Sequence, residues 1–231
     1  MALSLDVTDA DEIEVAAKTI AAAVAERGLS GLVNNAGIAR GGPTEYTSLD
    51  VWRLQFEVNV FGQIEVTRQM LPLIRKARGR IVFVGSIGGR LSSPFLAPYN
   101  ASKFALEAIA DSLRIELLAA GIRVSLIEPG AVKTAIWEKG RETTDELEQS
   151  LPQAALERYG NVLQRARRVF DFLERQGVPP EKVAKTIEHA LTSSRPRTRY
   201  VVGRDARMQA FVARFVPYRV RDALTRRVLG L

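Results

Sequence analysis

Short apolar runs with the pattern of strands alternate along this chain with longer segments that have the pattern of helices. This alternation restricts the fold more than any other feature. The strand-like runs are found at residues 2–7, 31–35, 80–86, 122–128 and 198–203. Strands separated by helices pair in parallel, because the chain must cross back before it adds the next strand. The sequence therefore predicts one α/β domain with a parallel sheet over residues 1–231.

Residues that start or stop helices bound the segments between these runs. Thr8 or Asp9 can cap a first helix, which we expect to continue to about Arg27 and to end at Gly28. Gly121 similarly ends a helix expected at residues 98–119. Further helices are expected at residues 49–77, where Pro72 breaks or kinks the last turn, at 154–176, and from 179 onward.

Ser86, Tyr99 and Lys103 have a spacing that suits proton transfer to a carbonyl or alcohol oxygen. In a helix, Tyr99 and Lys103 would share one face, so an ammonium group would stand beside a phenol. A free phenol has a pKa of about 10, and a nearby cation lowers the pKa toward neutral pH. Ser86 ends the apolar run at 80–86 and could bond the same substrate oxygen. Taken alone, the Tyr-x-x-x-Lys pair is also compatible with a packed tyrosine beside a solvated lysine.

Other segments, in the same order along the chain, resemble the short-chain dehydrogenase/reductase family. The strand end Asn34-Asn35-Ala36-Gly37 is similar to that family's Asn-Asn-Ala-Gly motif. The other matching positions are the Asp6-Val7 pair, Asn59, the Ser86, Tyr99 and Lys103 set, and the Pro129-Gly130-x-x-x-Thr134 turn. The resemblance implies a Rossmann-like doubly wound parallel sheet.

The resemblance also implies an NAD(P)-dependent oxidoreductase that moves a hydride between nicotinamide and a carbonyl or alcohol carbon. Tyr99 would be the acid-base, Lys103 would lower its pKa and bind the nicotinamide ribose, and Ser86 would orient the substrate oxygen. Asn59 would hold a relay water, although a solvent-facing or backbone-bonded amide is the alternative. The implied cofactor-binding residues are Asp6, Val7, Asn35, Ala36, Gly37, Pro129, Gly130, Val132 and Thr134. NAD and NADP are not distinguished.

One departure from the family pattern concerns the cofactor pyrophosphate. Family members carry a glycine-rich strand-turn-helix that places the pyrophosphate on a helix N-terminus, and no such motif precedes Asp6. We therefore expect an N-terminally incomplete sheet that lacks the first two strands and the first helix. A truncated start, rearranged strand pairing and strands lent by another copy remain open. The alternative function is a non-catalytic or truncated family member that acts as a binding or scaffold protein.

Charge and composition exclude some classes of site and leave others open. The chain has no cysteine and one histidine, so disulfides and cysteine or multi-histidine metal sites are not expected. The formal net charge is +7, and ten arginines against two aspartates from Arg195 onward give that region +8. A solvated arginine-rich helix face is one interpretation, and contact with an anionic membrane surface is another. No segment resembles a nucleic-acid-binding motif.

Two C-terminal segments bear on substrate and partners. Residues 135–160 are polar and weakly periodic, which favours a mobile substrate lid, with Ile136, Trp137 and Leu147 as apolar contacts. Residues 204–231 form a basic amphipathic segment that resembles the retinol- and hydroxysteroid-dehydrogenase-like branch of the family. That likeness suggests an apolar alcohol or ketone substrate, and the family implies a homodimer or homotetramer. We expect a cytoplasmic protein with weak membrane-surface contact.

Overall fold

Four parallel strands form a single sheet, in the order in which they follow one another along the chain. They are β1 (Gly31–Asn34), β2 (Arg80–Val84), β3 (Arg123–Pro129) and β4 (Arg199–Val202). The computed structural model describes residues 1–230, without the side chains of Lys139, Thr143 and Ser150. Leu231, the last residue of the basic C-terminal segment, lies outside the described residues. The parallel α/β architecture predicted from the sequence is confirmed, and β1 is an edge strand of the sheet.

Nine α-helices are found in residues 1–230. They are α1 (Ala10–Val24), α2 (Leu49–Phe56), α3 (Gly62–Ala77), α4 (Ala97–Glu116), α5 (Ile136–Ser150), α6 (Gln153–Gln176), α7 (Pro180–Thr192), α8 (Arg204–Phe215) and α9 (Tyr218–Leu229). No helix in this part of the chain is apolar over enough residues to cross a membrane.

Local chemistry explains where the first helix begins and ends. The Asp9 side chain accepts hydrogen bonds from the amides of Asp11 and Glu12, at 2.9 and 3.1 Å, and so caps α1. A 3₁₀ turn, Ala25–Arg27, follows α1, and Gly28 ends it with φ +70°, a conformation that glycine adopts without strain. A Cβ at Gly28 would also lie 2.6 Å from the Leu73 carbonyl oxygen, so the chain passes close to α3 here.

The prediction of a strand at residues 2–7 is wrong. Residues 1–6 have no regular secondary structure, and Leu3 and Leu5 are exposed. A strand needs a neighbour to complete its hydrogen bonds, and among residues 1–230 no strand pairs with this segment. The four observed strands are paired in the order in which they follow one another along the chain. The alternative of a rearranged strand pairing is therefore wrong as well.

Two other segments differ from the sequence-based expectation. The helix expected at 49–77 is interrupted by a π-helical segment, Glu57–Phe61, between α2 and α3, whereas Pro72 lies inside α3. Residues 135–160 are mostly helical, because α5 and the start of α6 occupy them. Reciprocal ion pairs join α5 and α6: Arg141 binds Glu174, and Arg167 binds Asp145.

Helices cover both faces of the sheet, as the doubly wound architecture requires. Alternate residues of β2 point to opposite sides. Ile81 and Phe83 pack against α1, α3 and α4, whereas Val82 packs on the other face against α7. All three side chains are fully buried, and burying an aliphatic or aromatic side chain of this size stabilises a fold by roughly 1.5–3 kcal/mol. The sheet is thereby fixed between two helical layers, and its carboxyl edge carries the site.

Candidate active site

The structure brings Ser86 and Tyr99 together at the carboxyl edge of the sheet. Ser86 follows the end of β2 by two residues, and its Oγ accepts a hydrogen bond from the Gly88 amide at 3.0 Å. Tyr99 lies in the first turn of α4. A Cβ at Gly88 would lie 3.3 Å from Tyr99 Cε1 and 3.4 Å from Ser86 Oγ, so both side chains lie beside this glycine. Both side chains line the same cavity. The two groups can therefore contact one substrate oxygen.

Lys103 lies one helical turn beyond Tyr99 and is only 6% exposed. Its Nζ is 5.8 Å from the centroid of the Tyr99 ring and donates a hydrogen bond to the Val84 carbonyl at 3.0 Å. Burial disfavours the charged form and lowers the pKa of Lys103 to about 8. An ammonium group has three hydrogens, so two can serve a ligand beyond the bond to Val84.

The pKa of Tyr99 does not follow the expected direction. Burial of the phenol raises its pKa above the usual value, and the nearby Ser86 hydroxyl opposes that change only in part. We expected Lys103 to lower the pKa of Tyr99. Instead, its ammonium is engaged with the Val84 carbonyl and is itself disfavoured by burial. At neutral pH the phenol is therefore protonated, which is the form that can donate to a carbonyl oxygen.

Asn59 lies in the π-helical segment and is completely buried. Its Oδ1 accepts from the Ile38 amide at 2.8 Å, and its Nδ2 donates to the Ile38 carbonyl and to Ser102 Oγ, each at 3.0 Å. The structure thus shows the backbone-bonded amide that was the alternative at this position. The relay role that the resemblance gives Asn59 stays a prediction.

Asn59 belongs to a row of buried polar side chains that the sequence analysis missed. Residues 34–40 run alongside α2 and α3, and one side chain per helical turn bonds every second residue of this loop. The pairs are Asn34 with Thr67, Ala36 with Gln63, Ile38 with Asn59 and Arg40 with Gln55, each with a bond of 2.8 Å. Polar residues at a strict four-residue spacing, Gln55-Asn59-Gln63-Thr67, are the signal that could have revealed it. We call the side chains of Gln55, Asn59, Gln63 and Thr67 the polar row.

The polar row places the loop expected to border the cofactor. Asn35 and Gly37 are exposed, and Ala36 is held through its carbonyl by Gln63. A Cβ at Gly37 would lie 3.4 Å from Asn59 Oδ1 and 3.7 Å from Lys103 Nζ. The glycine therefore leaves open space beside the ammonium group. This opening and the two remaining Lys103 hydrogens fit the ribose hydroxyls of a nicotinamide nucleotide.

The turn after β3 contributes only part of its expected residues to the cavity. Gly130 and Ala131 line it with Ser86, and Pro129 is buried at the end of the strand. Val132 instead forms a bridge with Val178, and Thr134 is exposed; neither lines the cavity. The structure thus does not bring Val132 and Thr134 together with Ser86 and Tyr99.

Asp6 and Val7 also lie away from the cavity. The Asp6 carboxylate accepts bonds from the amide and hydroxyl of Thr8, both at 2.8 Å, and this lowers the pKa of Asp6. Val7 packs on Gly62, whose missing Cβ makes room for it. The adenine-side role of the Asp6-Val7 pair therefore stays a prediction.

The cavity that contains Ser86 and Tyr99 has a volume of about 270 Å³ and a largely apolar lining. Ile136 and Trp137 of the expected lid line it, whereas Leu147 packs on Gly42. The other large apolar side chains on its walls are Ile87, Leu91, Phe95, Leu96, Leu163, Phe170 and Leu173. Ser86 and Tyr99 thus form one polar part of a mostly apolar cavity, which Asn100, Arg141, Thr144, Arg167, Asp171, Asp205 and Gln209 also line.

Comparison with known proteins identifies the family. The family model for short chain dehydrogenase matches residues 1–145. The chain is 40% identical over 231 residues to 17-beta-hydroxysteroid dehydrogenase type 6 of Bos taurus, covering 96% of this chain and 72% of that protein. It is 39% identical over 235 residues to retinol dehydrogenase 5 of Homo sapiens, covering 97% and 72%.

Solved structures show the same relationship. A short-chain dehydrogenase from Streptomyces avermitilis is 31% identical, with a TM-score of 0.73, and the match covers 96% of this chain and 76% of that one. A short chain dehydrogenase/reductase from Burkholderia phymatum in complex with NAD is 25% identical, with a TM-score of 0.70 and coverage of 87% and 70%. These relatives do not favour the non-catalytic alternative. The chain belongs to the short-chain dehydrogenase family and is a nicotinamide-dependent oxidoreductase of its hydroxysteroid and retinol dehydrogenase branch.

Proposed function

We propose that Ser86, Tyr99, Lys103 and Asn59 are the catalytic residues for an apolar alcohol or ketone. The observation that carries this proposal is that Ser86 and Tyr99, both beside Gly88, line the same mostly apolar cavity. A substrate oxygen placed there can contact both hydroxyls, while the hydrocarbon part of the substrate contacts the apolar walls.

Each residue has a distinct task in this proposal. Tyr99 donates its proton to a carbonyl oxygen, or accepts one from an alcohol, and Ser86 orients that oxygen. Lys103 binds the ribose and, when charged, favours the phenolate. Asn59 fixes the loop at Ile38 and supports proton relay. NAD or NADP, when bound, supplies or accepts the hydride.

The proposed cofactor contacts fall into two groups. Asn35, Ala36 and Gly37 border the ribose side next to Lys103, and the segment 129–134 shapes the nicotinamide side. Within that segment, Pro129 and Gly130 adjoin the cavity, and we assign Val132 and Thr134 to the carboxamide. Asp6 and Val7 would approach the adenine. NAD and NADP remain equal candidates.

The test combines cofactor binding with turnover. Titration with NADH and NADPH, followed by nicotinamide fluorescence, should show saturable binding, and apolar ketones should then be reduced. Y99F should lower kcat by at least about 100-fold with little change in cofactor affinity, since a general acid contributes about 10²–10⁴-fold. Tyr218 is 76% exposed, so Y218F is the matched control and should keep full activity. Turnover retained in Y99F would refute the mechanism.

We further propose that the protein is a homodimer or homotetramer built on the central helices. Leu54 of α2, Phe61 of the π-helical segment and Phe104 of α4 are large apolar side chains that are more than 40% exposed. A second copy would cover them. Light scattering should give a mass of two or four chains, and F104D should shift it toward one. A single-chain mass for the unmodified protein would refute this assignment.

The basic C-terminal segment 204–231 is proposed to make weak contact with an anionic membrane surface from the cytoplasmic side. The side chains of Met208, Phe211, Phe215, Tyr218, Leu224 and Val228 are all more than half exposed on α8 and α9. Seven arginines accompany them from residue 204 onward, against two aspartates. This combination suits a helix pair lying on anionic lipid headgroups.

Co-sedimentation with vesicles tests this contact. The chain should bind phosphatidylserine-containing vesicles, lose that binding in high salt, and bind vesicles of phosphatidylcholine alone more weakly. F211S/F215S should weaken partitioning by about 10-fold or more, since burial of each phenylalanine is worth more than 1 kcal/mol. I115S/L118S removes two equally exposed apolar side chains elsewhere and should have no effect. Equal loss in both variants would refute the assignment.

A further inference from the structure

Five charged side chains meet where α4, β3 and β4 come together, and none of them lines the cavity. The completely buried Glu128 carboxylate accepts two bonds from Arg90, Nε to Oε1 at 2.8 Å and Nη2 to Oε2 at 2.6 Å. Arg199 Nη1 also donates to Glu128 at 2.8 Å. Arg199 also donates a hydrogen bond to Glu107, and its Nη2 donates to Asp111 at 2.6 Å. We call these five residues the charged cluster.

Members of the charged cluster adjoin segments that carry the proposed catalytic residues. Arg90 ends the serine turn, residues 86–90, which begins with Ser86. Glu128 directly precedes Pro129 and so adjoins the 129–134 turn. Glu107 lies one helical turn beyond Lys103 on α4. The bond between Arg90 and Glu128 therefore joins the serine turn to the 129–134 turn, and Arg199 joins both to α4.

The serine turn also packs tightly against α4. A Cβ at Gly89 would lie 2.8 Å from the Lys103 carbonyl oxygen and 3.1 Å from Glu107 Cγ. The Gly85 amide, just before the turn, donates to the Ile127 carbonyl at 2.8 Å. Since the turn is close-packed on one side, a rigid contact on the other side would leave it little freedom to shift.

Stability alone is a weak explanation for the charged cluster. The Glu128 side chain is completely buried, whereas those of Arg90 and Arg199 are 29% and 28% exposed. Removing a carboxylate from water costs several kcal/mol, and apolar side chains of similar volume often stabilise a buried site as well or better. A bidentate arginine–carboxylate pair does supply direction, because two parallel bonds fix both the distance and the angle between the groups.

We propose that Arg90 and Glu128 are positioning residues, whose paired hydrogen bonds hold Ser86 at a fixed distance from the 129–134 turn. The catalytic role of this contact between Arg90 and Glu128 rests on the proposed function, in which Ser86 orients the substrate oxygen and the 129–134 turn shapes the nicotinamide pocket. The contact itself can be tested without turnover.

Amide hydrogen exchange on the intact chain tests the contact. R90K keeps the positive charge and loses the fork, whereas R90M loses both. The Gly88 amide, bonded to Ser86 Oγ, and the Ala131 amide, bonded to Asp205 at 2.7 Å, report on the two turns. In R90K both should exchange about 10-fold faster while the amides of α3 keep their protection, and R90M should show a larger effect. R68K alters an exposed ion pair with Glu65 and is the control.

Two exchange results would overturn the proposal: unchanged rates at both amides in R90K, or an equal increase across the whole chain. Kinetics supply the functional readout. R90K should lower kcat by about 10-fold while KM stays within about 2-fold of the unmodified value, since placement of the serine affects the reacting geometry. A change in KM alone would also overturn it. Absence of NADH binding and turnover in the unmodified chain would refute the proposed function, whereas the exchange result would still decide the contact.

Discussion

Two glutamines of the polar row, Gln55 and Gln63, should respond differently to the same substitution. Both are buried, at 0% and 1% exposure. Gln55 uses both ends of its amide: Oε1 accepts from the Arg40 amide and Nε2 donates to the Ile38 carbonyl, each at 2.8 Å. Gln63 uses only Nε2, which donates to the Ala36 carbonyl at 2.8 Å, and its Oε1 is buried without a hydrogen-bond partner among the described residues.

Replacement by leucine keeps the volume and removes the amide. Q55L removes the bond to the Arg40 amide and one of two bonds to the Ile38 carbonyl, which keeps its bond from Asn59, so we expect a loss of about 1–3 kcal/mol. Q63L strips one backbone group but also removes a buried oxygen that has no partner, so we expect a loss of about 0–1.5 kcal/mol. The difference of about 1 kcal/mol corresponds to roughly 2–4 °C in Tm for a chain of this size.

Urea unfolding followed by circular dichroism measures both variants against the unmodified chain. The m-values should agree among the three proteins, so that a shift in midpoint reports a change in stability. Q63L as destabilising as Q55L would show that the unpartnered oxygen carries no cost, and the hydrogen-bond reasoning would then be wrong.

Two further predictions concern buried ionisable groups. Burial raises the pKa of Glu107 to about 7, so the folded chain holds this proton more tightly than the unfolded chain, and the resulting stability is lost as pH rises from about 4.5 to 7. E107Q should flatten that part of a Tm-against-pH curve, and an unchanged slope would contradict the assignment. Burial lowers the pKa of Lys103 to about 8, which costs stability below pH 8. The free energy of unfolding of K103M at pH 7, measured in urea, should therefore be higher by up to about 3 kcal/mol, yet K103M should bind NADH more weakly. A less stable K103M would show that the bond to Val84 outweighs the cost of burial.

The parallel sheet and the central part of the site follow from local pattern. Apolar runs at 31–35 and 80–86 form strands because their residues can be buried on both faces. Tyr99 and Lys103 share a helix face because four residues make about one turn, and Ser86 meets them because strand ends share one edge. The strands and the shared helix face depend on short-range geometry, which can be predicted from the sequence.

What the sequence did not reveal depends on partners distant in the chain. Residues 2–7 have a strand-like pattern, but a strand requires a neighbour that no local pattern supplies. The pKa of Tyr99 depends on its burial and on the direction in which the Lys103 ammonium points. Gln55 and Gln63 are polar residues on the buried side of their helices, opposite to the usual amphipathic rule, because the chain they face is a loop with backbone groups to satisfy.

The bonds around Asn59 have a fixed direction. The Ser102 hydroxyl has one hydrogen, which it donates to the Tyr99 carbonyl at 2.7 Å, so towards Asn59 it can only accept. The amide of Asn59 must then present nitrogen to Ser102, which leaves its oxygen for the Ile38 amide. An aspartate in place of Asn59 would have the same shape but could not donate to Ser102 or to the Ile38 carbonyl. A single hydroxyl hydrogen on α4 therefore sets the donor and acceptor order of a chain of bonds that ends at the loop beside Lys103.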